Sequence, residues 1–456
     1  MKRFISVLFI LALVFALVPT QAVAKGAKNI HINVLLNTEI TDEILEELVT
    51  YGKVIGKLEQ INALTMKVSE DLLAEIQALP FVEAANPDAE RNAPPIDTVP
   101  VEDFVDGLST WNLDAINVTD FGFDNRQVDF DGTGVYVAVI DTGLVNSWRQ
   151  YFPQERIATE YAKSFGGGGG EQGNVSEQPN KWEHDTNSHG THVTSTIIGY
   201  SFGGTPITPI NGVAPLAKII PVKVLNQNGS GWSSVVARGI EYIGDLKAGP
   251  LAEYPVVINM SLGGPALDAV EQAAIDYAIE QGVIIVASAG NNGELGMGYP
   301  GAYAPVISVA ASGWTGEWLT GGWWLGDVAD PTNPDDFYIT DFSSREMEGE
   351  DLDIAAPGSW IVGPYQLNMG QTSYYYLGGT SMASPHVAGI AALMAEKEPS
   401  LNAFQVEAIL ESSAIPLPAD CRDVFTPYGF YEEFCWGADA TGAGLATADA
   451  ALDAIP

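Results

Sequence analysis

Three short segments of this chain carry residues suited to nucleophilic acyl chemistry. Asp141 ends the apolar run Val139-Ile140-Asp141-Thr142-Gly143. A carboxylate at the end of a parallel strand sits where open α/β sheets place their sites, although Asp-Thr-Gly also makes an ordinary turn. His189 opens His189-Gly190-Thr191-His192, after Asp185-Thr186-Asn187-Ser188. An imidazole can pass a proton near neutral pH. The spacing of His189 and His192 also suits a metal, but a metal needs further ligands and no His-Glu-x-x-His arrangement is present. His189 is therefore read as a base, and His192 as a packed or hydrogen-bonding helix residue.

Ser381 lies in Gly378-Gly379-Thr380-Ser381-Met382-Ala383-Ser384-Pro385-His386, ahead of the apolar run Val387 to Met394. The two glycines let the backbone approach a substrate closely. A serine at a helix N-terminus meets free N–H groups and a dipole that favour negative charge. That suits a nucleophile whose reaction creates an oxyanion. Ser384 is the competing serine, inside the first turn where it could serve as a cap. Pro385 is tolerated so early in a helix. A fourth segment, Ala287-Ser288-Ala289-Gly290-Asn291-Asn292-Gly293, follows a strand. It offers an amide to a developing oxyanion, or makes a plain Asn-Gly turn.

These residues need a scaffold, and the hydrophobic pattern outlines one. Val135 to Ile140, Lys218 to Leu225, Val256 to Met260, Val283 to Ala287 and Val306 to Ala310 read as strands. His189 to Ile198, Ala266 to Gln281 and Met382 to Glu396 read as helices. Near-continuous Val/Ile runs between helices predict an α/β unit: a mostly parallel twisted sheet with helices on both faces, over residues 109–456. Before it, residues 25–98 read as a small ferredoxin-like α+β domain in the order β-α-β-β-α-β. Its strands are Ile30 to Leu36, Lys57 to Ile61, Leu64 to Val68 and Val82 to Ala85. Its helices are Thr41 to Tyr51, stopped by Gly52, and one capped by Ser69 and running to Leu79. Pro94, Pro95 and Pro100 mark a linker. Gly166 to Gly170, and residues 314–338 with Trp314, Trp318, Trp323 and Trp324, read as surface insertions.

Together the four chemical segments resemble the subtilisin-like serine proteases, the subtilases, over roughly residues 109–456. The chain order Asp, His, Ser is that of subtilisin. The resemblance implies that Asp141 orients the histidine, that His189 is general base then acid, and that Ser381 is the nucleophile. It makes Asn291 the oxyanion amide, with the Ser381 backbone N–H as second donor. It assigns substrate contacts to Gly229, Ser230 and Gly231 on one strand, to Ser261, Leu262 and Gly263 on the opposite one, and to Gly290. An extended peptide would add between the two strands. The implied activity is a broad-specificity serine endopeptidase. A dedicated processing protease with one main substrate is the alternative, and a catalytically dead binding protein of the same fold a more distant one. The 25–98 domain resembles the family's propeptide, which assists folding and inhibits the enzyme until it is cut away, here between Asn92 and Ser109.

The resemblance also brings in calcium as a structural ion, and no catalytic cofactor. Gln150 stands where many relatives carry a calcium-binding aspartate, so that site is in question. The loop with Asp327, Asp330, Asp335 and Asp336 could bind the ion instead.

Composition narrows the partners. The 456 residues include 20 basic and 58 acidic ones, a net charge of −38. That argues against nucleic acid or an anionic membrane as partner. Polypeptide substrates are what the resemblance implies. Lys2 and Arg3, the apolar run Phe4 to Val18 and Ala22-Val23-Ala24 predict a cleaved signal peptide over residues 1–24, hence a secreted protein. The run is short for a membrane anchor. Export makes a Cys421–Cys435 bridge chemically accessible, but the sequence leaves open whether it forms.

Overall fold

Alternation shapes the small N-terminal sheet. In the strand Asn29–Leu36, Ile32, Val34 and Leu36 point to one face, with Leu48 and Ile76 from the two helices in the same core. Asn33 points to the other face, yet is also fully buried. Thr41 caps the helix Asp42–Val49 by accepting from Ile44 N at 3.3 Å. The strand order is Gly52–Leu58, Ala63–Ser69, Asn29–Leu36, Val82–Pro87, and every neighbour is antiparallel. This is the ferredoxin-like arrangement. Two details differ from the sequence reading. The second strand starts at Gly52 rather than Lys57, and Glu59–Ile61 forms a tight 3-10 turn before left-handed Asn62. Ser69 makes no side-chain cap, and the second helix shrinks to Leu73–Gln77.

The computed structural model describes residues 28–92, 97–100, 109–123, 125–166, 177–178, 181–203, 208–367 and 372–456. The expected signal peptide, and the glycine loop beyond Gly166, lie outside the described residues.

The larger unit is built on an eight-stranded sheet. Its strands run in the spatial order Phe337–Ile339, Ile307–Trp314, Val283–Ser288, Val256–Met260, Tyr136–Asp141, Lys218–Lys223, Lys163–Ser164, with Ile354–Pro357 also on Ile307–Trp314. Every pair is parallel except that made by Phe337–Ile339. Successive side chains of Tyr136–Asp141 enter two different cores. Val137 and Val139 pack with the helices His189–Ile198 and Thr380–Lys397. Tyr136, Ala138 and Ile140 pack with Ser233–Ala248 and Ala269–Glu280. A strand covered on both faces needs apolar residues at every position, which is why these runs do not alternate in polarity. The helix Ser233–Ala248 was not singled out in the sequence. Val236, Ile240, Ile243 and Leu246 have helical spacing there, but Gly239 and Gly244 interrupt it.

The N-terminal unit docks on the second core, which takes in Leu58 and Ala63. At the C-terminal end, Asp420–Phe425 and Tyr431–Trp436 form a hairpin whose directly opposed Cys421 and Cys435 are disulfide-bonded.

The segment 314–338 corrects the sequence reading of a surface insertion. Trp314 ends a sheet strand, and Trp323 and Trp324 are only 3% and 1% exposed. Trp323 stacks on Tyr376, and Trp318 lies against Trp360. Glu317 is buried among them, and its carboxylate accepts from Trp314 N, Tyr338 Oη and Ser359 Oγ. The aspartates that made the segment look solvated lie on its outer side, while the indoles face in. Replacing Trp324 with Ala should therefore cost about 3–5 kcal/mol, visible as a lower urea midpoint, where an exposed position would shift it by about 0.5 kcal/mol or less.

Candidate functional site

Tyr136–Asp141 lies where the order of the strands reverses. The next strand in sequence among its neighbours, Lys218–Lys223, pairs on one side, and Val256–Met260 pairs on the other. Such a switch point opens a crevice at the carboxyl ends of the strands. Asp141 is the last residue of its strand and projects there.

Asp141 and His189 are both fully buried, and both carboxylate oxygens lie 2.9 Å from His189 Nδ1. Thr142 N also donates to Asp141 Oδ1, at 2.6 Å. A carboxylate can only accept, so Nδ1 carries the proton and Nε2 keeps its lone pair. Nε2 is buried and has no hydrogen-bond partner among the described residues. Gly190 makes this approach possible. A Cβ there would lie 2.5 Å from Gly143 O and 3.1 Å from Asp141 Oδ1. Thr142 Oγ1 accepts from Gly190 N at 2.9 Å and donates to Asp185 Oδ2 at 2.8 Å, pinning the helix start to the strand end.

Beneath this pair sits a buried cation. Lys223 Nζ donates to Thr142 O and Leu225 O, and lies 3.8 Å from Asp185 Oδ1. Burial lowers the Lys223 ammonium and raises the Asp185 carboxyl from their ordinary values, and each charge partly offsets the other's shift.

Ser381 lies in the first turn of Thr380–Lys397, just after Gly379 at φ 154°. Its Oγ donates to Ser261 O at 3.3 Å, and Ser261 Oγ donates back to Ser381 O at 2.8 Å. The competing serine is committed elsewhere, because Ser384 Oγ donates to Asn259 Oδ1 at 2.7 Å. The other two helix histidines are structural. His192 Nε2 donates to Ile361 O at 3.0 Å, and burial pushes it down to about 3. His386 lies between Met382 O and Asn112, and burial pushes it down to about 4.

Asn291 is held by its oxygen. Oδ1 accepts from Thr380 N at 2.9 Å and Thr380 Oγ1 at 3.0 Å, which leaves Nδ2 beside Gly379. Gly290 N donates to Thr380 Oγ1 at 3.2 Å. Asn292 is exposed. The roles of Thr142, Lys223 and Thr380 went unread in the sequence. The only local signal was their position beside Asp141, in the strand next to it, and beside Ser381.

Ser230 and Gly231 lie on the strand Ser230–Trp232, with Gly229 in the turn before it. That strand's free edge carries the chain's own Glu90–Asn92, antiparallel, with Ser230 opposite Asn92. The chain then meets the other flank. Asp97–Pro100 runs antiparallel to Tyr374–Gly378, with Asp97 opposite Gly378. Ser261, Leu262 and Gly263 follow Val256–Met260 directly but pair with no strand among the described residues.

The expected calcium loop does not assemble. Of Asp327, Asp330, Asp335 and Asp336, only Asp327 joins a group of three carboxylates, with Asp114 and Asp120. Asp330 accepts from Thr332, and Asp335 pairs with Arg422 at 2.9 Å. Gln150 Oε1 accepts from Thr372 Oγ1 at 2.5 Å.

Comparison with known proteins gives the chain a family. Residues 132–445 match the subtilase family, Peptidase_S8. A thermostable alkaline protease of Halalkalibacterium halodurans is 31% identical over 91% of this chain and 94% of its own length. Subtilisin E of Bacillus subtilis is 30% identical over 91% of this chain and 93% of its own. Fervidolysin of Fervidobacterium pennivorans, a keratinolytic enzyme related to subtilisin, superposes with a TM-score of 0.65 at 26% identity. The match covers 94% of this chain and 61% of fervidolysin.

Lys223→Met should leave Asp185 buried without its counter-charge, at a cost of about 3–5 kcal/mol. The Asp185 carboxyl, already raised, would rise further, so the folded variant keeps a proton that the unfolded chain has released. Its stability then falls as pH rises, and its melting deficit should be larger at about pH 8 than at about pH 5.

Proposed function

The chain belongs to the subtilase family, and from that membership we propose that it is a secreted serine endopeptidase made as a self-processing precursor. The observation that carries this reading is the buried Asp141–His189 pair, with the lone pair of His189 Nε2 left for Ser381.

In the proposed cycle His189 Nε2 takes the Ser381 Oγ proton as Oγ attacks the substrate carbonyl carbon. Asp141 holds the ring and stabilises the imidazolium. The oxyanion is met by Asn291 Nδ2 and the Ser381 N–H at the helix N-terminus. His189 then gives the proton to the leaving amine, and water hydrolyses the acyl-enzyme on Ser381. Ser381 Oγ now donates to Ser261 O, so the serine must turn toward Nε2 when substrate arrives; catalytic bonds are often looser without substrate.

Substrate would lie as an added strand on Ser230 and Gly231, flanked by Gly229, and against Ser261, Leu262 and Gly263, with Gly290 near the reacting carbonyl. Main-chain pairing takes many sequences, which supports broad specificity. The tail of the 25–98 domain already follows such a path, from Ser230–Trp232 to Tyr374–Gly378. We read that domain as an inhibiting propeptide and place the cut between Asn92 and Ser109. Secretion rests on the pattern of residues 1–24, and among the described residues no helix is long and apolar enough to cross a membrane. Calcium enters as a structural ion.

The test is expression of residues 25–456 with and without Ser381→Ala. The parent should shed its N-terminal domain and digest unfolded protein, and the variant should stay full length; a variant that still processes itself removes Ser381 as nucleophile. Asn291→Ala should process slowly, with turnover on a peptide substrate down ~100-fold or more and KM little changed, a magnitude known from subtilisin itself.

A further inference from the structure

A cavity of about 200 Å³ opens beside Gly378, close in sequence to Ser381. One wall belongs to the sheet unit and carries Phe342 and Trp360. The other is the C-terminal hairpin of Asp420–Phe425 and Tyr431–Trp436, which contributes Phe434 and, from its turn, Tyr428. We propose, resting on the peptidase activity argued above, that this cavity takes a lysine or arginine side chain of a polypeptide substrate, from a residue on the leaving-group side of the scissile bond.

The hairpin makes the cavity. Side chains alternate along a strand, so Glu432 and Phe434 share one face. That face turns to the sheet, where Phe434 lies 4.8 Å from Tyr338 of the edge strand Phe337–Ile339, centroid to centroid. The Cys421–Cys435 bridge ties the two hairpin strands together, so this wall stands before a substrate arrives.

Charge selects the occupant. Asp341 and Glu432 border the cavity and are exposed. Glu317 is fully buried behind Tyr338 and Ser359, whose hydroxyls donate to it. Among the described residues no lysine, arginine or histidine lines the cavity, and no ion pair reaches any of these three carboxylates. Arg422, on the same hairpin, is taken by Asp335 and Asp420. Arg345 feels the Asp341 charge but donates to the carbonyls of Thr340 and Ser343. Aromatic faces with negative charge at their rim suit a side chain that has an apolar stem and a cationic head. An apolar side chain would cover the rings and strip water from the carboxylates without replacing it, and an acidic one would be repelled.

The chain's own tail shows which side of the cut this is. It pairs first with Ser230–Trp232, through Glu90–Asn92, and then with Tyr374–Gly378, with Asp97 opposite Gly378. A substrate running the same way meets Gly378 after it has passed the reacting centre. The tail itself is not the occupant, because residues 93–108 hold four acidic side chains and no lysine or arginine. Its covalent tether makes self-cleavage independent of that mismatch.

Residues 25–456 are first left to shed the N-terminal domain. A chain that never does so refutes the peptidase activity, and this cavity's role with it. The mature enzyme is then given quenched fluorescent peptides that carry lysine, arginine, norleucine or glutamate at each of the first few positions after the cut, with the cut bond read by mass spectrometry. At one position lysine and arginine should exceed norleucine in kcat/KM by about 5-fold or more, with glutamate below it. High salt should shrink that ratio. Asp341→Asn/Glu432→Gln should bring it close to one, and Glu432→Lys should place glutamate above lysine. Each ratio is taken within one enzyme, so a general loss of activity or folding does not enter it. A processed enzyme that cuts the lysine peptides no faster than the norleucine ones at every position overturns the proposal. So does a lysine preference that the variants retain.

Discussion

The site depends on burying one carboxylate, Asp141, at the carboxyl end of the central strand. An isolated buried charge is expensive, so everything around it serves to make it tolerable. Thr142 N and His189 Nδ1 donate to it, and Lys223 supplies positive charge one strand away. The same bonds that satisfy the carboxylate orient the imidazole. Stability and chemistry share one set of contacts here. The cost of that economy is the second buried charge, Asp185, which Lys223 must also balance.

The parallel sheet explains how such distant residues meet. Asp141, Ser261 and Asn291 all follow the carboxyl ends of sheet strands, so a single crevice collects them. Ser381 arrives from the helix that runs beneath the sheet, and its tie to Ser261 locks the two together. Thr380 does the same for Asn291, taking up the amide oxygen so that the nitrogen is left to donate.

The docking of the N-terminal unit is largely polar where it meets the helix starts. The helix Ser233–Ala248 has no capping side chain of its own, and Asp88 accepts from Ser234 N at 3.0 Å in its place. Asn33 donates to both Asp88 and Asp268, the residue that caps Ala269–Glu280. Asn33 therefore sits buried on a strand otherwise patterned for an apolar core. A polar interface of this kind leaves donors and carboxylates that water can satisfy if the two units part.

The sequence alone determined the parts whose signals are local. Continuous apolar runs marked strands such as Val256–Met260, and the two glycines ahead of Ser381 marked a backbone that must pass close to something. The resemblance to the subtilases, carried by four segments and their order, named Asp141, His189, Ser381 and Asn291 as a set. Tertiary structure decided what depends on distant pairing. Ser384 was given its partner by Asn259, Trp324 was turned inward by its aromatic neighbours, and the four loop aspartates were dispersed by partners such as Arg422. Asp341 and Glu432 border one cavity only because the C-terminal hairpin folds back onto the edge of the sheet. Periodicity reports which face a residue takes. Which distant group occupies the space it faces is set by how the strands are ordered, and no short window of sequence contains that order.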